Sequence, residues 1–323
     1  MSYLAPYVNP TKGWIFSFLA TAYLGLLFSN VLFIIGWLLV KNKLWLLSLL
    51  AILLGIPHLG SYFNISIHNP QEDQLSIMSY NIGAFLRSEK LKKNKSFKNE
   101  FLSFFKDTGK PDILCLQESP YNKLFKDSLQ YEYSLRKGTM YIFSDLPHVD
   151  QGVLDFPNTS NRIIWADIRN NDKIVRVVNV HLQSNKVSEQ TEDLASNIDL
   201  AEKETWIDMR SVIGKVKRAT AIRTKQAEEA QKFIAASPYP VVLAGDFNDT
   251  PLSYTYALMS HELKDAYIKK GSGMGITYAG KIPGLRIDYI MGSKEIEFTS
   301  YTCSKVDFSD HYPIHSHFEL SSN

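Results

Sequence analysis

Cysteine is scarce: Cys115 and Cys303 are the only two in 323 residues. Two thiols cannot build the disulfide framework that staples small secreted domains, and 188 residues apart they do not form the close-spaced cysteine pair of a zinc site. Cys115 lies inside an apolar run, where a buried free thiol is the ordinary expectation, and a pairing with Cys303 stays open. A basic surplus is missing as well. The chain has 35 Lys and Arg against 33 Asp and Glu, and the first 63 residues hold three of the basic ones (Lys12, Lys41, Lys43) and none of the acidic ones. The remainder is left with 32 basic against 33 acidic residues, a net charge of about −1. A protein that grips duplex DNA without sequence preference carries a strongly basic footprint, and this chain has none globally. Internal repeats and low-complexity tracts are also absent.

Long apolar runs, by contrast, are present. From Trp14 to Val40 the only ionisable residue is Tyr23, and from Leu44 to Phe63 the polar interruptions are Ser48, His58, Ser61 and Tyr62. At about 1.5 Å per residue either run, taken as one helix, crosses a hydrocarbon core of about 30 Å. Two transmembrane helices, at about 14–40 and 44–63, are therefore expected. A cleaved signal peptide fits worse, because the first run is too long and no small-residue cleavage site follows it. Lys41 and Lys43 sit in the turn between the runs, which keeps that turn cytoplasmic; Lys12 votes weakly the other way. The expected arrangement is a membrane anchor over 1–63, a linker over 64–74 and a catalytic domain over 75–323 on the outer, periplasmic side of a bacterial inner membrane.

Beyond the linker, short apolar runs alternate with polar and helical stretches. Residues 76–80, 112–116, 162–168, 174–182, 241–244, 286–291 and 314–318 read as strands. Several are apolar on both faces, as in Val175-Arg176-Val177-Val178-Asn179-Val180, so the strands are covered on both sides and an α/β sandwich is expected.

The residues able to carry chemistry stand at the ends of these strands. Asn81, Glu118 and His181 each follow an apolar run; Asp246 and Asn248 follow Val241–Gly245; Asp288 lies within Arg286-Ile287-Asp288-Tyr289-Ile290; Asp310 and His311 precede the last strand. Hard oxygen ligands for a divalent metal, a base for water and donors for a developing oxyanion are what phosphoester hydrolysis needs. Taken singly, each has an ordinary explanation as a turn residue, a solvated strand end or a hydrogen-bonded core histidine.

Six short motifs in order carry a resemblance: Ser79-Tyr80-Asn81-Ile82, Leu116-Gln117-Glu118, Asn179-Val180-His181-Leu182, Gly245-Asp246-Phe247-Asn248, Arg286-Ile287-Asp288-Tyr289 and Ser309-Asp310-His311. The chain from Leu75 to Leu320 resembles the endonuclease/exonuclease/phosphatase (DNase I-like) superfamily. Its anchor looks like that of a membrane-anchored bacterial subfamily, in which a further helix often precedes the stretch Leu4–Pro10. The resemblance implies a four-layer α/β sandwich, two packed β-sheets flanked by helices, here preceded by the two transmembrane helices. It also implies Mg²⁺ or Mn²⁺ held by Glu118 with Asn81 and Asp310. Asp246 would orient or deprotonate the attacking water, and Asn248 would donate to a nonbridging phosphate oxygen. His311, fixed by Asp288, would contact the phosphate, and His181 would be a second donor or the acid for the leaving oxygen. Arg162, opening the strand before the one that ends at His181, is a candidate phosphate clamp; a surface arginine at a strand start fits equally.

From Arg210 to Lys225 there are six basic residues and no acidic one, while Met209, Val212, Ile213, Val216, Ala219 and Ile222 recur at helical spacing. This predicts an amphipathic helix with a basic outer face, either solvated or set against anionic lipid or a polyphosphate substrate. Ser184–Asp208, polar and without pattern, is a candidate lid. The expected partners are the lipid bilayer and a phosphoester substrate. The leading reading is a metal-dependent phosphodiesterase or phosphatase acting on a phospholipid headgroup or related phosphoester. An extracytoplasmic nuclease acting on nucleic acid and an inactive scaffold are the alternatives.

Overall fold

A computed structural model describes residues 1–66, 74–83, 95–119, 128–185, 203–280 and 282–321. Much of the expected lid, and most of the linker, lie outside these residues. The chain opens with a 3₁₀ turn (Ser2–Tyr7), followed by α1 (Trp14–Thr21), α2 (Tyr23–Leu39) and α3 (Trp45–Leu59).

The first apolar run does not form the single long helix that was expected. The first run breaks at Ala22, and α1 meets α2 at a bend of 65°. Taken alone, the 17 residues of α2 are about 26 Å long and the 15 of α3 about 22 Å, both short of a 30 Å core. Among the described residues no single helix is long and apolar enough to cross a membrane; only the bent pair passes, by length and composition. The break has a packing cause. Ala20 and Tyr23 are buried with Ala5, Tyr62 and Leu252, so α1 packs on the domain that follows instead of prolonging α2. α3 is in turn held at its middle, where the Tyr3 hydroxyl donates to the Ala51 carbonyl at 2.7 Å.

Then come β1 (Phe63–Asn64), β2 (Leu75–Asn81), α4 (Lys95–Asp107), β3 (Ile113–Gln117), β4 (Tyr133–Lys137), β5 (Met140–Ser144), β6 (His148–Asp155), β7 (Arg162–Asn170) and β8 (Lys173–His181). The rest is α5 (Lys203–Ala235), β9 (Val241–Asp246), α6 (Tyr254–Met259), β10 (Lys264–Asp265), α7 (Ala266–Lys270), β11 (Gly273–Met274), β12 (Asp288–Gly292), β13 (Ile296–Cys303) and β14 (Ile314–Leu320). Two six-stranded sheets form, in the orders β10-β12-β9-β8-β7-β6 and β13-β14-β2-β3-β5-β4. Among the described residues only β2–β3 and β8–β9 pair in parallel, so both sheets are mixed.

Period-two alternation makes the layers. Ile77, Ile113, Cys115 and Ile142 of one sheet face Ile164, Val177, Val242, Ala244 and Ile290 of the other in the central core. Their neighbours point outward: Val178, Val180 and Leu243 are covered by Ala227, Ala230 and Ile234 of α5, while Met78, Tyr80, Leu114 and Leu116 are covered by Phe101, Phe104 and Phe105 of α4. The result is the expected four-layer α/β sandwich. Cys115 is buried and Cys303 half-buried, and both are free.

One buried ion pair supports the loops at the site. Arg286 is 1 % exposed, donates from Nη1 to Asp265 at 2.8 Å, and has the rings of Tyr267 and Tyr289 each 4.7 Å away.

Candidate active site

Sheet register brings the strand ends to one rim. Asn81 lies beside Gln117, His181 beside Asp246, and Asp246 beside Asp288. At the end of β9, Gly245 takes φ +143°, and a Cβ there would collide with the Val180 carbonyl, so only glycine fits where the two strands come this close. The next turn puts Asn248 at φ +53°, and Glu118 also sits in the left-handed region at +51°. Left-handed backbone is uncommon for glutamate, and such outliers gather at functional sites.

Asp246 is the hub. Its Oδ2 accepts from Asn81 Nδ2 and Asn248 Nδ2, each at 3.0 Å, and its Oδ1 accepts from the Asn248 backbone N–H at 2.8 Å. His181 Nε2 lies 3.8 Å from Oδ2 and His311 Nε2 lies 3.9 Å from it. Burial, then the Asp288 charge, raise the Asp246 carboxyl above the usual range, against the pull of the two histidines. His311 Nδ1 is 3.1 and 3.0 Å from the two Asp288 oxygens. Burial disfavours charge on this ring, yet Asp288 and Asp246 outweigh it and push His311 up to about 10. The ring is thus held as an imidazolium between two carboxylates.

His181 Nε2 lies 3.7 Å from Glu118 Oε1 and, although buried, makes no hydrogen bond. Ser309 ties Asp310 to the group: its hydroxyl is 2.8 Å from the Asn81 carbonyl oxygen and 3.2 Å from Asp310 Oδ1. Eight of the nine expected residues therefore converge. The ninth, Arg162, stands opposite His181 across β7–β8, with its guanidinium Nε 3.2 Å from Asp155. Asn248 differs in detail from the expectation: its amide hydrogens are taken by Asp246 and by the Leu182 carbonyl at 3.1 Å, so a phosphate contact requires one of them to be released.

Several supporting residues were not singled out from sequence. Gln117 Nε2 donates to Asn179 Oδ1 at 2.7 Å, and Asn179 Nδ2 donates to the carbonyls of Leu116 and Tyr141 at 3.0 and 2.8 Å. This fully buried clip ties the two sheets together directly beneath Glu118 and His181. Thr277 Oγ1 accepts from the backbone N–H groups of Ile287 and Asp288, fixing the approach of Asp288. Arg223 belongs to the expected basic outer face but turns inward: it is buried, lies 3.0 Å from Asp249 Oδ2, and donates to the Gln183 carbonyl at 2.6 Å. A buried polar residue next to a motif was the available signal for Gln117 and Asn179; for Thr277 and Arg223 there was none.

The donor set fits a hard divalent cation. Asn81, Glu118, Asp246 and Asp310 offer oxygen, and a cation beside them would favour ionised Asp246, which burial opposes. Among the described residues, ligating atoms of Asp246, Asp288 and His311 all lie within 4.8 Å of one another. The Nδ1–carboxylate contacts between His311 and Asp288 are those of a hydrogen-bonded pair. His315, four residues after His311, does not make a zinc pair with it. Pro313 and extended β14 lie between them, and the His315 ring packs 4.8 Å from His317.

Comparison with known proteins agrees with this geometry. The model of the Endonuclease/Exonuclease/phosphatase family matches residues 78–311, and that of a domain of unknown function matches residues 1–62. No curated protein matches. Among solved structures, an endonuclease/exonuclease/phosphatase family protein from Bacteroides thetaiotaomicron superposes with a TM-score of 0.57 at 16% identity, over 78% of this chain and 100% of that one. D. rerio TDP2 complexed with single strand DNA product gives 0.55 at 17% identity, over 77% and 100%. A mannosyl-6-phosphatase from Bacteroides thetaiotaomicron gives 0.52 at 16% identity, over 76% and 100%. At these identities the likeness shows the fold.

Proposed function

From its membership of the endonuclease/exonuclease/phosphatase family, which makes this chain a phosphoester hydrolase, we propose a Mg²⁺- or Mn²⁺-dependent phosphodiesterase or phosphatase held at a membrane. The observation that carries the chemistry is Asp246, held by two carboxamides and flanked by two imidazoles, one of them locked by Asp288.

Glu118, with Asn81 and Asp310, would hold the metal, which neutralises phosphate charge and favours attack by water. Asp246 orients the water and takes its proton. Asn81 and Asn248 fix the carboxylate so that one lone pair points at the water, and His311 donates from Nε2 to a phosphate oxygen as negative charge grows there. Asp288 keeps the proton on Nδ1. His181, whose Nε2 makes no hydrogen bond within the protein, donates to the leaving oxygen or stabilises it. Arg162 would reach the substrate only by leaving Asp155.

The tether reading rests on the surface of α2 and α3. Phe28, Leu32, Phe33, Leu39, Leu47 and Leu54 are all more than half exposed, an apolar area that water does not tolerate on an isolated hairpin. The hairpin would enter the bilayer from the outer face with α1 docked on the domain; at about 26 and 22 Å, α2 and α3 bring Lys41 and Lys43 at the tip to the cytoplasmic headgroups only where the bilayer thins around them, which leaves the catalytic domain outside the inner membrane. The near-neutral domain and the short reach to the bilayer favour a phospholipid headgroup or a related phosphoester as substrate. The second reading is an extracytoplasmic nuclease, favoured by the fold shared with TDP2, whose structure holds a single strand DNA product. Full-length protein assayed on phospholipid vesicles, plasmid DNA and a bis-aryl phosphodiester, with Mg²⁺ and with EDTA, decides the matter. Metal-dependent release of headgroup from vesicles supports the first reading, nicking of DNA alone supports the second, and no turnover of any member supports an inactive scaffold.

A further inference from the structure

The basic helix changes character along its length. From Ala219 onward its inward positions are buried, among them Thr220, Arg223, Thr224 and Ala227. Between Met209 and Arg218 no residue is buried: Val212 and Val216 are half-covered, and Ile213 is 37% exposed. The change falls at the catalytic rim. Arg223 Nη1 donates to the Gln183 carbonyl, and Gln226 Oε1 accepts from the Gln183 N–H at 2.8 Å, two residues after His181. From there α5 runs down the sheet and returns as β9, so the stretch before Ala219 overhangs the rim by about 15 Å. At 100° per residue Met209, Val212, Ile213 and Val216 form one stripe, continuing the face that is buried further on, while Arg210, Lys215, Lys217 and Arg218 are exposed around it.

The apolar hairpin leaves the domain from the same end. Tyr23 and Tyr62, at its base, pack with Leu252, four residues past Asn248. Leu24 lies against Gly284, in the segment that leads into Asp288.

We propose that the overhanging part of α5, about Met209–Arg218, is a second membrane contact: it lies on an anionic lipid surface, apolar stripe toward the acyl boundary and basic residues among headgroup phosphates. With the hairpin it turns the catalytic mouth toward the bilayer. The inference rests on the reading that the hairpin inserts. A soluble polyphosphate would satisfy the cations but leaves the stripe in water, whereas a lipid surface takes both.

The test uses full-length protein in a Cys303→Ser background, reconstituted into vesicles of phosphatidylcholine alone or with phosphatidylglycerol. A polarity-sensitive fluorophore is attached at Ile213→Cys or, as a hairpin reporter, at Leu53→Cys. The hairpin reporter should shift to the blue in both lipids, and the α5 reporter only in the anionic one. Arg210→Glu, Lys217→Glu and Arg218→Glu together should abolish the α5 shift, since each basic residue contributes about fivefold to surface binding, and high salt should reverse it. An α5 reporter that stays in water beside a shifted hairpin reporter overturns the proposal and leaves the tether standing. Equal α5 shifts in both lipids overturn its electrostatic basis. A hairpin reporter that stays in water overturns the tether and the proposal with it. None of these outcomes depends on turnover, so phosphoesterase activity is judged separately.

Discussion

Replacing Asp288 with asparagine separates the charge of the His311 partner from its shape. The carboxamide would keep an oxygen within reach of Nδ1–H, so the ring stays oriented, and only the negative charge is lost. In the native protein burial works against the imidazolium, but Asp288 first and Asp246 next raise His311 to about 10. Against an ordinary value near 6.5, that is a preference for the charged ring of roughly 5 kcal/mol, the largest favourable share of it from Asp288. The sign follows from linkage. The folded value lies above the unfolded one, so this stabilisation is complete below about pH 6.5 and is lost as pH rises through about 10. In Asp288→Asn, titration of the His311 ring followed by NMR in EDTA should move down from about 10. Unfolding free energy, measured in urea across the same pH window, should then depend on pH less than in the native protein. With Mg²⁺ at neutral pH, turnover of a bis-aryl phosphodiester should fall about 10²–10³-fold, as expected when a general acid or base loses its charge partner. An unchanged His311 titration, or turnover within about threefold of native, refutes the assignment.

Other perturbations test the scaffold of the site. Asn179→Leu strands the carbonyls of Leu116 and Tyr141 and a donor of Gln117, and should cost about 2–4 kcal/mol in urea unfolding; a loss below about 1 kcal/mol would show that the clip carries little. Arg286→Met leaves Asp265 buried without its cation and should destabilise by about 3–5 kcal/mol, while Arg286→Met with Asp265→Asn recovers much of that; an equal loss in the double variant would contradict the ion-pair account. Gly245→Ala drives a methyl into the Val180 carbonyl at a left-handed φ and should lower the thermal midpoint sharply or prevent folding, and a native-like midpoint would argue against so close an approach.

The central strands and the site were legible in sequence for a physical reason. β2, β3, β8 and β9 are covered on both faces, so their apolar runs are continuous and their polar ends stand out, which is where Asn81, Glu118, His181 and Asp246 were read. β4 and β6 lie on sheet edges, with Tyr133–Lys137 and His148–Asp155 largely exposed, and their mixed pattern gave no such signal. β5 is fully buried, but at five residues Met140–Ser144 is too short for periodicity to separate strand from helix. The break in the first apolar run lay out of reach of hydropathy. Ala20 and Tyr23 look like membrane residues, yet their contacts with Ala5 and Leu252 are tertiary and set the break at Ala22. Arg223 was placed on the outer face by charge, while its partner Asp249 is 26 residues away in sequence and visible only once β9 is folded beside α5.

The most direct test of the account is Mg²⁺-dependent hydrolysis of a bis-aryl phosphodiester by the native chain and by Asp246→Asn, with folding checked by thermal melting. The substituted side chain would keep the size of the hub and lose its charge and basicity. The account predicts that EDTA abolishes native turnover, that Mg²⁺ or Mn²⁺ restores it, and that Asp246→Asn, folded and supplied with metal, is slower by about 10³-fold or more. Native-like, metal-dependent turnover by folded Asp246→Asn would contradict it.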